Sequence, residues 1–367
     1  MKRFVATLGR NAIAVSIFAA ASAVAETGHP TPPMIDRDGA VRVAAQVYAM
    51  PSSFSDEARK AFTDYFARGG DPAMTGDIDN IRRIYDTQWA GPILAEWQAR
   101  YPVTMQRTSM AGVDVDIVQP RDGVAPGKKD RVLISLHGGG FVIGNGGVGG
   151  RMEAIPMAGI GGFRVIAVDY RQAPEARYPA ATDDVVAVYR ELLKSYAPGN
   201  IGIVGSSAGG MLAAQTVARL QNEELPRPGA IAIQAAGASS RGASDSQFWM
   251  LGLTGAMVKL PEEMPKLPSY FAPEDMKDPL AFPADHPGIL AQFPPTLILS
   301  SSRDSLLGNA LDTHARLREA NVDSQLYVRH GFGHGYFTQV PQVPEAIHAW
   351  QETVAHFDRH LGKTAPD

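Results

Sequence analysis

No cysteine occurs in the 367 residues, which excludes disulfides and a lipid-modified N-terminal cysteine. Stability must come from core burial alone, and a chain of this length can supply that. Sustained basic runs are missing too: 34 Lys and Arg stand against 38 Asp and Glu, a net charge of −4. A nucleic-acid footprint is therefore not expected. The apolar stretch Ile13–Ala20 is too short to cross a bilayer as a helix. It follows Lys2 and Arg3 and leads to Ala23-Val24-Ala25 before Glu26, the layout of a secretory signal cleaved after Ala25. Residues 1–25 are thus expected to be a signal peptide. The mature protein would then be periplasmic or secreted, with no stable membrane span. What remains, 45% hydrophobic and 20% charged, is an ordinary globular composition.

Residues 26–102 read as an N-terminal segment outside the sheet, and 103–367 as the main domain. Ser55 can cap a helix whose first turn holds Asp56 and Glu57 and whose apolar face holds Ala58, Phe62, Tyr65 and Phe66. A second helix through Ile78, Ile81, Ile84, Tyr85, Trp89, Ile93 and Trp97 is expected to break near Gly91-Pro92. Strands begin near residue 103. Val113–Val118 alternates after an Ala111-Gly112 turn, and Arg131–Leu136, Phe163–Val168, Ile201–Val204, Ala230–Gln234, Thr296–Leu299 and Gln325–Val328 follow. Helical segments at 181–194, 208–221, 308–320 and 344–360 separate most of them, which predicts a mostly parallel sheet flanked by helices. Residues 238–293 interrupt the alternation and read as a helical and irregular insertion.

The chemistry sits in two glycine-bearing blocks. Gly205-Ser206-Ser207-Ala208-Gly209 is Gly-x-Ser-x-Gly, which alone arises by chance in roughly one such chain in five. Its position makes it specific. Strand Ile201–Val204 runs into it, helix Met211–Ala214 runs out of it, and only small neighbours tolerate so sharp a turn at a serine. His137-Gly138-Gly139-Gly140 also ends a strand, and its unshielded N–H groups must find a partner. In acyl transfer that partner is a carbonyl oxygen turning negative. Gly139 and Gly140 are the expected oxyanion donors, Ala208 N–H is the third, and His137 braces the loop.

A serine nucleophile needs a base, and the base needs an orienting acid. Asp304 follows strand Thr296–Leu299, while His330 and His334 follow Gln325–Val328. All fall at the sheet edge that carries Ser207. His334, between Gly333 and Gly335, is the preferred base and His330 the alternative, pointing into packing. Asp304 is the preferred acid over Asp275, Asp278, Asp285 and Asp312. Gly144–Gly149 satisfies Gly-x-Gly-x-x-Gly, with Asp169 twenty residues beyond its last glycine. Seven residues separate it from the preceding strand, and Pro156 is expected to interrupt the helix it needs. His330-x-x-x-His334 has glycines that oppose a metal-binding helix and no Glu after its first His. Neither a cofactor nor a metal is expected.

These residues resemble the bacterial hormone-sensitive-lipase-like (family IV) esterases of the α/β-hydrolase superfamily. The resemblance spans roughly residues 103–360. It rests on His137–Phe141, Asp169-Tyr170-Arg171-Gln172-Ala173-Pro174-Glu175, Tyr178-Pro179-Ala180-Ala181, Gly205–Gly210, Asp278-Pro279-Leu280, Pro294-Pro295-Thr296 and Gly331–Gly335. The last block independently favours His334. Departures are Ser206 where Asp, Glu or Thr is usual, Gln172 for leucine, Ser305 for proline, and Arg329-His330 before the final glycine. The resemblance implies an α/β-hydrolase fold with a cap from the N-terminal helices and the insertion. It also implies a cofactor-free carboxylesterase for short or medium acyl chains, acting on a small-molecule ester through Ser207, His334 and Asp304. A lactonase, amidase or acyltransferase would use the same triad. A ligand-binding protein would keep only the pocket, as in the similar plant gibberellin receptors, which lack the catalytic histidine. Oligomeric state is left open, a homo-oligomer included.

Overall fold

The computed structural model describes residues 34–35, 41–42, 50–67, 70–72, 74–240, 246 and 268–362. The expected signal peptide lies outside them. So do Phe66's side chain and, within the 238–293 insertion, residues 241–245 and 247–267, including Phe248, Met250, Met257 and Met264. The chain divides into Met1–Ala49 and Met50–Asp367. In the first unit Met34–Ile35 pairs antiparallel with Val41–Arg42. In the second, eight strands make one sheet: β1 Val103–Met110, β2 Val113–Pro120, β3 Val132–Leu136, β4 Arg164–Val168, β5 Ile201–Ser206, β6 Ala230–Gln234, β7 Thr296–Arg303 and β8 Ser324–Gly333. Their order across the sheet is β1-β2-β4-β3-β5-β6-β7-β8. Only the β1/β2 and β2/β4 pairs are antiparallel, so the mostly parallel sheet expected from the sequence is present.

Strand periodicity sorts the core into two layers. Val132, Ile134 and Leu136 of β3 and Ile231 and Ile233 of β6 face one layer; Leu133, Ala230 and Ala232 face the other. Every residue of β3, β5 and β6 is buried, as a central strand with both faces covered requires. Two helices later in the chain, Ala180–Leu192 and Ala208–Asn222, fill the first layer with Val185, Val188, Leu212 and Val217. The second layer receives Met152 and Ile155 from Gly149–Gly161 and Trp350 and Phe357 from Pro344–His360.

The N-terminal helices join that second layer. Ser55 Oγ accepts Ala58 N–H at 3.0 Å and caps α1, Asp56–Ala67. The next helix does not break at Gly91-Pro92. It passes from α2, Ile78–Ile84, through a π-helical stretch, Tyr85–Ala90, into α3, Gly91–Arg100. Pro92 offers no N–H, and widening the turn before it keeps the chain helical. Gly91 lies so close to Asp86 O that a Cβ would sit 2.7 Å from it. Trp97, fully buried, donates Nε1–H to Thr338 O at 2.8 Å and ties α3 to the C-terminal part of the domain.

A second expectation also fails. The helix after the Gly144–Gly149 block, α4 (Gly149–Gly161), runs straight through Pro156. It is buried almost all round and has no polar stripe to mark it, so its glycines and proline read as loop. The dinucleotide reading gains nothing from the helix. The Asp169 carboxylate is already taken by Arg107 and by Gly146 N–H at 2.9 Å. Among described residues, no helix is long and apolar enough to cross a membrane.

Candidate active site

The chain leaves β3 for β4 on one side, then returns to β5 on the other side of β3. This reversal opens a crevice at the C-terminal ends of β3 and β5, where ligands settle in open α/β sheets. Ser207 stands at the end of β5 and opens the helix Ala208–Asn222. Its backbone takes φ 52° and ψ −119°, a sparsely populated conformation held by Ser207 N–H donating to Gln234 O at 2.8 Å. The turn is possible because the helix lies against β3: a Cβ at Gly209 would lie 1.8 Å from Leu136 O. Ser207 Oγ is thereby lifted off the sheet edge.

His334 follows β8 directly and Asp304 follows β7. Ser301 Oγ donates to Gly333 O at 2.9 Å and Ser302 Oγ accepts Gly331 N–H at 2.8 Å, so the two strand ends are fastened side by side. His334 Nε2 lies 3.0 Å from Ser207 Oγ, and its Nδ1 lies 2.7 Å from Asp304 Oδ1. Asp304 is inaccessible to water, and both its oxygens are engaged. Oδ1 also accepts Leu306 N–H at 2.9 Å, and Oδ2 accepts the Ser300 hydroxyl at 2.9 Å. A carboxylate so placed only accepts, so Nδ1 carries the proton and Nε2 is the free base facing the serine. Burial pulls the His334 imidazole down, but the Asp304 charge and hydrogen bond prevail and leave it above its ordinary pKa. Burial pushes Asp304 up, and the His334 charge with three hydrogen bonds returns it below its ordinary range.

His330 stands apart. It is exposed on β8, 3.4 Å from Ser53 Oγ, and does not point into packing. The rival acids have other partners: Asp285 binds Ser240, Asp312 binds Arg316, Asp278 accepts from Tyr178, and Asp275 caps a turn at Ala272. The structure thus brings Ser207, His334 and Asp304 together and leaves His330 and the rivals out.

The loop after β3 faces Ser207. Gly139 has φ 124°, and a Cβ there would fall 1.9 Å from Ile143 O. Val142 and Ile143 N–H both donate to Gly139 O, closing the loop into a tight turn. Gly138 N–H is spent on Glu153 Oε1 at 3.1 Å. The next two N–H groups, of Gly139 and Gly140, and that of Ala208 make no hydrogen bond to any described residue. His137 is buried and neutral, its pKa lowered by burial, with Nδ1–H on Gly138 O at 2.7 Å. Tyr170 stacks on it at 4.3 Å and donates to His137 O at 2.6 Å. Phe141 stacks at 4.5 Å on Tyr270, from within the insertion.

Two groups escaped the sequence reading. Ser300 orients Asp304, and Glu153 lies under both loops, its Oε1 also accepting the Ser206 hydroxyl at 2.5 Å. A lone carboxyl among Met152 and Ala154–Ala158 was the available signal. The same contact accounts for Ser206: an acidic residue there would face Glu153 carboxyl to carboxyl. A cavity of about 590 Å³ opens beside His334, walled by Phe62, Trp89, Ile93, Phe332 and Tyr336. Its size suits a small organic ligand.

Comparison with known proteins points to the same fold. Residues 133–338 match the family described as an alpha/beta hydrolase fold. An acetyl-hydrolase of Streptomyces hygroscopicus is 32% identical over 198 residues, 51% of this chain and 62% of that protein. The crystal structure of an esterase, E25, superimposes with a TM-score of 0.73 at 29% identity, covering 87% of this chain and 98% of that one. An esterase from the bacterial hormone-sensitive lipase family gives 0.69 at 26% identity, covering 84% and 99%.

Proposed function

Because this chain belongs to the α/β-hydrolase family, in its hormone-sensitive-lipase-like esterase branch, we propose that it hydrolyses carboxylic esters through Ser207, His334 and Asp304. The observation that carries the reading is His334 bridging Ser207 Oγ at 3.0 Å and Asp304 Oδ1 at 2.7 Å, opposite three unengaged N–H groups.

His334 Nε2 takes the Ser207 proton as Oγ bonds to the ester carbonyl carbon. The carbonyl oxygen becomes an anion held by the N–H groups of Gly139, Gly140 and Ala208, each contributing on the order of 3 kcal/mol in the transition state. Imidazolium His334, steadied by Asp304, gives the proton to the departing alkoxide, and an alcohol leaves. Water, deprotonated by the same His334, then adds to the acyl-enzyme. Collapse of that second tetrahedral anion returns the proton to Ser207 and frees the acid. Neither step calls on a cofactor.

Substrates of short to medium acyl chain are what the esterase resemblance implies; the cavity of about 590 Å³ borders His334, but its walls include neither Ser207 nor the oxyanion donors. Helices α1 to α3 would serve with the insertion as a cap. Residues 1–25 would direct export, and sequencing the mature N-terminus tests this; a start at Glu26 is expected.

Ser207→Ala should abolish hydrolysis of p-nitrophenyl acetate and labelling by a fluorophosphonate, with the fold intact by circular dichroism. Turnover near wild type in that variant overturns the assignment. A profile across acyl lengths should peak at short or medium chains.

A further inference from the structure

Glu153 is a buried carboxyl group that these steps do not use. It stands in α4 between apolar neighbours and is only 4% exposed. Its Oε1 accepts two hydrogen bonds, from the Ser206 hydroxyl at 2.5 Å and from Gly138 N–H at 3.1 Å. Ser206 adjoins the nucleophile, and Gly138 adjoins the first oxyanion donor. One oxygen atom therefore fastens together the two loops whose spacing sets the distance between Ser207 Oγ and the Gly139 and Gly140 N–H groups. Oε2, also buried, has no hydrogen-bond partner among the described residues. An ionised carboxylate would leave that oxygen charged and unsolvated, whereas a proton on Oε2 removes the charge.

We propose that Glu153 is a positioning residue for the esterase reaction: its neutral carboxyl brackets Gly138 and Ser206, and ionisation disables the site. The proposal rests on the triad reading above. Burial supports the neutral form, pushing Glu153 up to about 8 against the lowering by Ser206 and Gly138. The titratable groups packed nearby offer it no cation. Tyr85, from the π-helical stretch, and Tyr170, after β4, are phenols that burial and Glu153 itself push far up. His137, beside Gly138, is held below its ordinary pKa by burial and is neutral.

A negative charge at Glu153 would lie beneath the place where the substrate oxygen becomes an anion, and like charges repel strongly in so dry an environment. The rate should therefore fall as pH rises through about 8. This descending limb is distinct from the ascending one set by deprotonation of His334.

The test measures kcat and KM against pH for p-nitrophenyl acetate hydrolysis by the whole protein. Glu153→Leu strands both donors and should lower kcat about 10- to 100-fold, the scale of a displaced catalytic group, with KM nearly unchanged. Glu153→Gln, whose amide oxygen can accept both bonds, should recover most of that loss at neutral pH and abolish the descending limb. A folded Glu153→Leu enzyme with wild-type kcat overturns the proposal. So does a Glu153→Gln enzyme that keeps the wild-type alkaline limb, or a wild type without one. If Glu153→Leu fails to fold, the Glu153→Gln profile decides alone. Ser207→Ala is run in parallel. Turnover there defeats the triad reading itself, whereas a silent Ser207→Ala beside a fully active Glu153→Leu defeats only the bracket.

Discussion

Asp304, beneath the base, and Glu153, beneath the oxyanion loop, are two carboxyl groups with almost no access to water, 0% and 4% exposed. Burial pushes both toward the neutral acid. Asp304 nevertheless ends below its ordinary range, while Glu153 rises to about 8. Partners make the difference. Asp304 meets an imidazole, a backbone N–H and a hydroxyl shared between its two oxygens. Glu153 meets two neutral donors on one oxygen and none on the other. One region stores a negative charge for the imidazolium to use, and the other excludes charge from the place where an oxyanion must form. Equal burial thus yields opposite charge states, and hydrogen-bond distribution selects between them.

The comparison can be broken most severely at Asp304. Asp304→Asn should cost about four orders of magnitude in kcat, because a neutral amide neither fixes the productive tautomer nor steadies the imidazolium. The ascending limb of kcat/KM should also move. In the wild type its midpoint should lie above the ordinary 6.5 of histidine, because the Asp304 charge and hydrogen bond outweigh burial, and removing that charge leaves burial to lower it. A limb that stays in place would show that Asp304 does not set the charge of His334. A milder perturbation is Ser300→Ala, which takes one donor from Asp304 Oδ2. The expected loss is roughly 1 kcal/mol, about fivefold in kcat, with the limb shifted slightly the opposite way, since Asp304 keeps its charge and holds the imidazolium more strongly with one donor fewer. An unchanged pH profile would remove Ser300 from the account.

Stability gives the sharpest contrast. Glu153 is raised above its ordinary 4.5, so its contribution to stability is full below that value and is lost as pH climbs toward about 8. Asp304 is lowered, so its contribution is present above the ordinary carboxylate range and is lost as pH falls through its folded value. Thermal melts of wild type and Glu153→Gln should therefore diverge between about pH 5 and pH 8, with the slope flatter in the variant. Parallel curves would mean that Glu153 ionises in the folded protein much as it does when unfolded.

Much of the site was legible because strand–turn chemistry is local. Ser207 could be placed by the strand before it, the helix after it and the small residues between. Asp304 and His334 could be placed by the strands they follow. Strand ends were less legible: β7 runs on through Ser300–Arg303 and β8 through Arg329–Gly333, where polar and glycine residues hide the apolar alternation. Helix α4 was missed because it is buried on nearly all sides, and Pro156 and its glycines carry a breaker's signature that packing overrides. Gly91-Pro92 misled for a related reason, since a π-helical stretch absorbs the missing N–H without ending the helix.

The sequence by itself determined the alternation of strands and helices, the order of serine, aspartate and histidine, and the tight turns that only small residues permit. Each of these follows from backbone sterics within a few residues. Only the tertiary structure decided which N–H groups remain free, which histidine reaches the serine, and what charge each buried carboxyl carries. Those outcomes depend on partners far apart along the chain, 15 residues for Gly138 and Glu153 and 127 for Ser207 and His334. A hydrogen bond or a desolvation cost exists only once folding has brought such groups together and driven the water out.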